Sequence, residues 1–287
     1  MRLGRRRDSE PAQGREQPDA LRAEIAGSGF WFHSIDVGGG VVTPGLKTPA
    51  QLAYELELVR LPELAGRSVL DIGAWDGYFA FEAERRGATR VVALDHFVWA
   101  WNTGAAPHPP GAEPPRIGAG RKLAQDETPA VWDPVGLPGK RSFDVAHRAL
   151  GSRVEAVVAD FMTSDLDALG TFDVVLFLGV LYHMRDPLGA LRRLARLTAG
   201  TAVVETEARV FHGPAEVPLC EFFAGYRLLD DPTNWWAPNE AALRLMLLEA
   251  GFDSVDVLTP APDPPADVAD EPVRYRAVAH AHKRAEP

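Results

Sequence analysis

The 287-residue chain has one cysteine, Cys220, only four lysines, and no apolar run approaching the roughly 18 residues of a membrane-spanning helix. A single cysteine excludes an internal disulfide and a cysteine-rich metal cluster, and Cys220 itself is expected to sit buried as a small apolar residue without chemistry. The arginine-rich start has no apolar stretch behind it, so neither a membrane span nor a secretory signal is expected, and the expected location is cytoplasmic. Positive charge is also scarce: 30 Lys and Arg face 40 Asp and Glu, a formal net charge of −10. A polyanion such as RNA would be repelled over most of such a surface. The obvious basic cluster, Arg2, Arg5, Arg6 and Arg7, lies in residues 1–20, a segment too poor in aromatics to offset the entropy of ordering. Neither nucleic acid nor membrane is therefore an expected partner, whereas a small molecule is, and oligomeric state is left open. No internal repeat and no metal-ligand pattern is found.

What the chain does contain is apolar runs punctuated by glycine turns. The stretch VLDIGAWDGYFAFEAERRGATRVVALDHF, residues 69–97, reads as strand, turn, helix and strand, one βαβ unit. Its turn, Gly73-Ala74-Trp75-Asp76-Gly77, puts an indole and a carboxylate where a dinucleotide site needs room for a pyrophosphate, and these would crowd and repel it. The chemistry suits a ligand with an amino acid at one end, adenosine at the other and a sulfonium between. Asp71 can meet an ammonium, Gly73 and Gly77 allow close passage, and Asp95 stands about 20 residues on, where a carboxylate takes ribose hydroxyls. That ligand is S-adenosylmethionine.

VLDIGAWDGYF with VVALD resembles the first two motifs of the class I S-adenosylmethionine-dependent methyltransferases. The resemblance implies an α/β fold, a doubly wound, mostly parallel sheet of seven strands of Rossmann-like type, and methyl transfer as the activity. It also implies cofactor contacts at Asp71, Gly73, Ala74, Trp75 and Gly77, at Asp95 and His96, at Asp160 and Phe161 in EAVVADFM, and at Leu178 and Gly179 in FDVVLFLG. Asp160 is equally readable as a simple turn cap.

FDVVLFLGVLYHMRDPLGALRRL is similar to the matching stretch of the bacterial wobble-uridine carboxymethyltransferases, which modify tRNA with a carboxylated form of the cofactor. The likeness extends through VVETE to NWWAPNEAALRLMLLEAGF, about Leu64 to Phe252. The chain departs from that family before the first sheet strand, where the family's lysine is replaced by GFWFHSIDVGGG. Lys47 lies further on and could serve only if the loop folds back, and a tyrosine such as Tyr182 alone is insufficient to hold the extra carboxylate. Plain methyl transfer to a small aromatic or apolar acceptor is the expectation. A tRNA-modifying enzyme and a non-catalytic S-adenosylmethionine-binding protein are the alternatives.

Residues 1–20 are expected to be a disordered tail, 21–64 a cap segment and 65–287 the cofactor-binding domain, with the Pro- and Gly-rich stretch 99–140 a lid or insertion. Catalytic candidates are Tyr182, His183 and Glu205. His183, with an ordinary pKa of about 6.5, reads either as a general base or as a structural imidazole capping the helix after it. Glu207, His33 and His212 are further options. Trp31, His33, Phe222, Tyr226, Trp235 and Trp236 are expected to line an acceptor pocket. That pocket, with arginine far outnumbering lysine, points to specialised metabolism.

Overall fold

The computed structural model describes residues 18–102, 132–224, 227–228, 231, 233–262 and 272–284. Nine strands are present among them: β1 (Ser68–Ile72), β2 (Arg90–Asp95), β3 (Glu155–Val158), β4 (Phe172–Leu178), β5 (Thr198–Val210), β6 (Cys220–Phe222), β7 (Trp236–Pro238), β8 (Ser254–Val257) and β9 (Val273–His282). The α-helices are α1 (Pro18–Gly27), α2 (Pro49–Val59), α3 (Tyr78–Arg85), α4 (Phe97–Ala100), α5 (Arg141–Leu150), α6 (Pro187–Leu197) and α7 (Glu240–Glu249).

Seven strands form one sheet in the order β3-β2-β1-β4-β5-β9-β8, and β6 pairs with β7 apart from it. The first five run parallel, and β9 runs antiparallel to both β5 and β8. Strand order reverses at β1, which lies between β2 and β4, and in doubly wound sheets ligands bind at the carboxyl ends beside that switch point. Alternation along each strand divides the core into two layers. Leu70, Ile72, Val175 and Phe177 pack under Leu191 and Leu194 of α6 and Leu243 and Leu247 of α7. Val69, Val174 and Leu176 face the other way, onto Phe79 of α3, Phe143 of α5, Ile25 of α1 and Trp31.

The helix ends follow from their caps. Thr48 and Gln51 form a reciprocal capping box at α2, Asp186 accepts from Gly189 N at α6, and Asn239 accepts from Ala242 N at α7. The left-handed Gly151 ends α5. The helix expected over 51–64 stops at Val59, because Arg60 turns left-handed and Pro62 lies two residues on. Helix α1 begins at Pro18, inside the stretch expected to be tail; residues 1–17 lie outside the described residues, as do 103–131 of the expected lid. The β6–β7 hairpin was not legible. Cys220 sits there and is exposed, not buried, because a two-stranded ribbon leaves an open face. Among the described residues, no helix is long and apolar enough to cross a membrane.

Candidate active site

The turn after β1 is built from left-handed backbone at Gly73 (φ 78°), Trp75 (φ 51°) and Gly77 (φ 89°). A Cβ on Gly73 would lie 2.7 Å from Val180 Cγ2, so only glycine fits between this turn and the segment leaving β4. Trp75 N donates to Asp95 Oδ2 at 3.0 Å, and Val98 N donates to Asp95 Oδ1 at 3.0 Å, which ties the ends of β1 and β2 together.

The two residues that spoil this turn for a dinucleotide have a structural task. The Trp75 indole stacks on Phe32 with centroids 4.2 Å apart and planes 5° from parallel. Asp76 is wholly buried; its Oδ2 accepts from the backbone N–H groups of Phe32 (2.9 Å) and His33 (2.8 Å), and Oδ1 lies 2.5 Å from His33 Nδ1. The segment before β1 is thereby clamped onto the glycine turn. His33, an expected acceptor-side residue, is 6% exposed and belongs to this clamp. Asp76→Asn exchanges charge-assisted hydrogen bonds for neutral ones, about 1.5–3 kcal/mol. The variant is expected to be cleaved faster by protease within residues 28–48; cleavage at the parental rate would sink the clamp.

Asp71 closes β1 at 3% exposure, and its Oδ2 has no hydrogen-bond partner. Burial, reinforced by the nearby Asp95 carboxylate, pushes its pKa up to about 7. Such an orphaned acid beside a glycine turn fits an ammonium group, and the Trp75 indole N–H is a second unsatisfied polar group in the same turn. Asp95 is also shifted up, chiefly by burial, with the Trp75 and Val98 amides opposing.

At the end of β4, Gly179 (φ 73°) donates its N–H to Glu205 O at 3.0 Å. A Cβ there would have Tyr182 Oη at 3.6 Å, an Arg276 guanidinium nitrogen at 3.8 Å and Glu205 Oε2 at 3.9 Å, so three polar side chains converge on this glycine. Arg276 pairs with Glu205 and with Glu207 (3.3 Å), and its guanidinium lies 4.9 Å from the Tyr182 ring centroid. Glu207, fully buried, also takes Arg209 (3.1 Å) and Arg274 (2.5 Å), and Arg209 reaches Glu221 of β6 at 2.9 Å. Burial raises the Tyr182 phenol's pKa against the pull of Arg276, so it stays protonated at neutral pH. Arg276 escaped the sequence reading because strand β9 brings it to Glu205 from 71 positions away.

Phe222, Trp235 and Trp236 are brought together on the hairpin, with Phe222 centroids 6.2 and 4.9 Å from the two indoles. Trp235 N donates to Tyr182 O at 2.7 Å, joining that cluster to the end of β4. Trp31 is not among them: it is 2% exposed and its indole N–H is taken by Ser28 Oγ (3.0 Å), so it fills core. Tyr226 lies outside the described residues, and His212 is exposed. Asp160 Oδ1 accepts from Met162 N and Thr163 N, the turn-cap geometry, while Phe161 packs its ring on Phe177. His96 stands edge-on to Trp132, and Leu178 is half-buried beside Gly179. Lys47 does fold back, bridging to His33, but its ammonium pairs with Glu55 at 2.8 Å above the Phe32 ring.

A seven-stranded sheet with this order, a buried acid near the end of β1 with one carboxylate oxygen unpaired and a second acid closing β2 are the marks of an S-adenosylmethionine-dependent methyltransferase. The family described as "Methyltransferase domain" matches residues 47–257, and the chain belongs to it. The tRNA U34 carboxymethyltransferase of Klebsiella pneumoniae strain 342 is 26% identical over 205 residues, 71% of this chain and 49% of that protein. The enzyme of the same name from Cronobacter sakazakii is 25% identical over 208 residues, 72% of this chain and 51% of that protein. The chain thus spans about half the length of these curated relatives. In fold it is similar to the N-terminal domain of EvdMO1 with S-adenosylhomocysteine bound (TM-score 0.58, 18% identity, 93% of this chain and 98% of that one). The same domain solved in the presence of S-adenosylhomocysteine and D-fucose gives a TM-score of 0.57 at 18% identity, over 94% and 97% of the two chains.

Proposed function

We propose that the acceptor is a small molecule with an aromatic or apolar body, held between the β6–β7 hairpin and the Tyr182–His183 turn, with residues 21–64 as a cap over the cofactor. S-adenosylmethionine, when bound, supplies a methyl group already activated by the sulfonium. The protein's task is then alignment and exclusion of water. Asp71 receives the ammonium, Gly73, Ala74, Trp75 and Gly77 pass the amino-acid end, Asp95 and His96 hold the ribose side, Asp160 and Phe161 the adenine, and Leu178 and Gly179 flank the reacting end. The observation that supports the acceptor reading is the backbone hydrogen bond from Trp235 N to Tyr182 O, which ties the hairpin and its three clustered aromatic residues to the turn that follows β4. Turnover of hydroxylated aromatic compounds with S-adenosylmethionine, followed by mass spectrometry, tests it. Trp235→Ala is expected to raise KM roughly tenfold or more, since ring burial is worth about 1.5–3 kcal/mol. An unchanged KM in a folded variant would remove the hairpin from the pocket.

The curated relatives favour a second reading, tRNA modification with a carboxylated cofactor. Against it stand the net charge of −10 and the pairing of both candidate cations, Lys47 with Glu55 and Arg276 with Glu205 and Glu207. Calorimetric preference for the carboxylated cofactor, or tRNA binding that weakens steeply with salt, would put that reading first.

A further inference from the structure

Three of the five residues in the turn after β1 have left-handed backbone, and two of them are glycine. The third is Trp75, at φ 51°. A bulky side chain is strained there and persists only where its surroundings over-determine it. The contacts that hold it come from two sides. On the sheet side, Trp75 N donates to Asp95 Oδ2 at 3.0 Å and Trp75 O accepts from Trp99 Nε1 at 2.6 Å. On the other side, from the segment before β1, Phe30 lies with its centroid 6.0 Å from the indole, and Phe32 stacks flat on it at 4.2 Å. Phe32 is itself fixed by its own segment and by Asp76. Its N–H goes to Asp76 Oδ2, its carbonyl takes Lys47 N at 2.8 Å, and the Lys47 ammonium lies 4.9 Å from its ring centroid. The segment doubles back so closely that a Cβ on Gly45 would lie 2.1 Å from the His33 carbonyl carbon. A fixed ring thus rests on the one strained residue of the turn that is not glycine.

We infer that Phe32 is a positioning residue: its ring holds Trp75 left-handed and, through the Trp75 amide, holds the Asp95 carboxylate in place for the cofactor. This rests on the reading of the glycine turn and Asp95 as the cofactor site, and deepens it by making cofactor affinity depend on a side chain of the cap. A return of Trp75 to negative φ redirects the chain on both sides of it, and with it the amide on Asp95 and the carbonyl on Trp99. Asp95 is 3% exposed, so a lost amide leaves a buried oxygen short of a partner. Glycine at position 75 would take the same φ without strain, and the turn would then have no need of Phe32. Tryptophan instead makes the shape of the turn conditional on the docking of residues 28–48. Linkage makes the effect reciprocal: a cofactor that needs the turn in this shape also holds that segment down.

The test is a double-mutant cycle on the full chain, read by calorimetric titration with S-adenosylhomocysteine. Phe32→Leu keeps an apolar side chain and removes the ring; it is expected to weaken binding roughly tenfold, equivalent to about 1.4 kcal/mol. Phe32→Met, a second variant without the ring, should match leucine, while Phe32→Tyr retains the ring and should restore the affinity that leucine loses. Trp75→Gly should still bind, and in that background Phe32→Leu should change Kd by less than about twofold. A general loss of stability would weaken both backgrounds alike. Proteolysis within residues 28–48 is the second readout: saturating S-adenosylhomocysteine should slow cleavage of the parent several-fold and slow cleavage of Trp75→Gly much less. Parental affinity in both ring-less variants, an equal loss in the two backgrounds, or no binding by a folded Trp75→Gly protein would overturn the inference. A parent that binds no S-adenosylhomocysteine condemns the cofactor site itself, whereas a parent that binds with Phe32 variants that bind equally well condemns only the role of Phe32.

Discussion

Glu207→Gln is expected to cost about 3–5 kcal/mol of stability, because it breaks a buried ionic cluster from its centre. Glu207 is 0% exposed and pairs with Arg209, Arg274 and Arg276. Arg276 retains Glu205 and Arg209 retains Glu221, but the cluster loses the charge that faces all three guanidiniums at once. Arg209 is only 9% exposed in its side chain, so water cannot replace the missing carboxylate. Urea unfolding should show a lower midpoint at unchanged slope, and thermal unfolding a fall on the order of 10 °C. A loss below about 1 kcal/mol would mean that the cluster is screened like an exposed network.

Asp71→Asn is expected to do two opposite things. In the folded protein the Asp71 pKa is pushed up to about 7, against an ordinary value of 3.8. Between those pH values the folded state keeps a proton that the unfolded chain loses, so the unfolding free energy falls as pH rises from about 4 to about 7 and is level above. At about 1.36 kcal/mol per unit, three units amount to roughly 4 kcal/mol, which asparagine restores at pH 8 by removing the buried charge. On the proposed reading of the site, the same change removes the partner of the cofactor ammonium. A charge-assisted hydrogen bond of about 1.5–3 kcal/mol corresponds to roughly 10- to 100-fold in Kd. The parent should bind S-adenosylmethionine more tightly as pH rises through about 7 and release a proton on binding, visible in buffers of different ionisation enthalpy; Asp71→Asn should do neither. A variant that binds like the parent would show that this carboxylate does not read the ligand.

The sheet was legible because its strands leave little choice: Val69–Ile72 and Val174–Phe177 are buried on both faces and read as apolar runs, interrupted only at Asp71. Helix ends were legible where a cap is written locally, as at Gly151, and not at Val59, where the left-handed Arg60 has no sequence signature. The hairpin strands, at three residues each, are too short to show alternation. Asp71, Gly73 and Asp95 could be proposed together from the sequence because they lie within one βαβ unit. Arg276, the Thr233 contact of His183 and Asp76 could not, since the partners stand 71, 50 and 43 positions away and only the fold brings them together. Trp31 and His33 were misread because an aromatic near a turn looks the same in sequence whether it faces a pocket or anchors a cap.

The placement of β9 also orders the events of synthesis. Residues 68–179, which hold the turn of Asp71, the acid of β2 and Gly179, emerge from the ribosome well before residues 273–282. Until then β5 presents a bare edge over positions 201–210, whose eventual partners in β9 run from His282 back to Val273. Glu205 and Glu207 would meanwhile face solvent without Arg274 and Arg276, and two like charges on an unpaired strand discourage another chain from adding to it. The carboxylates that seat Arg276 in the finished sheet are thus suited to a second task, as a charge guard on the edge of β5 before β9 arrives.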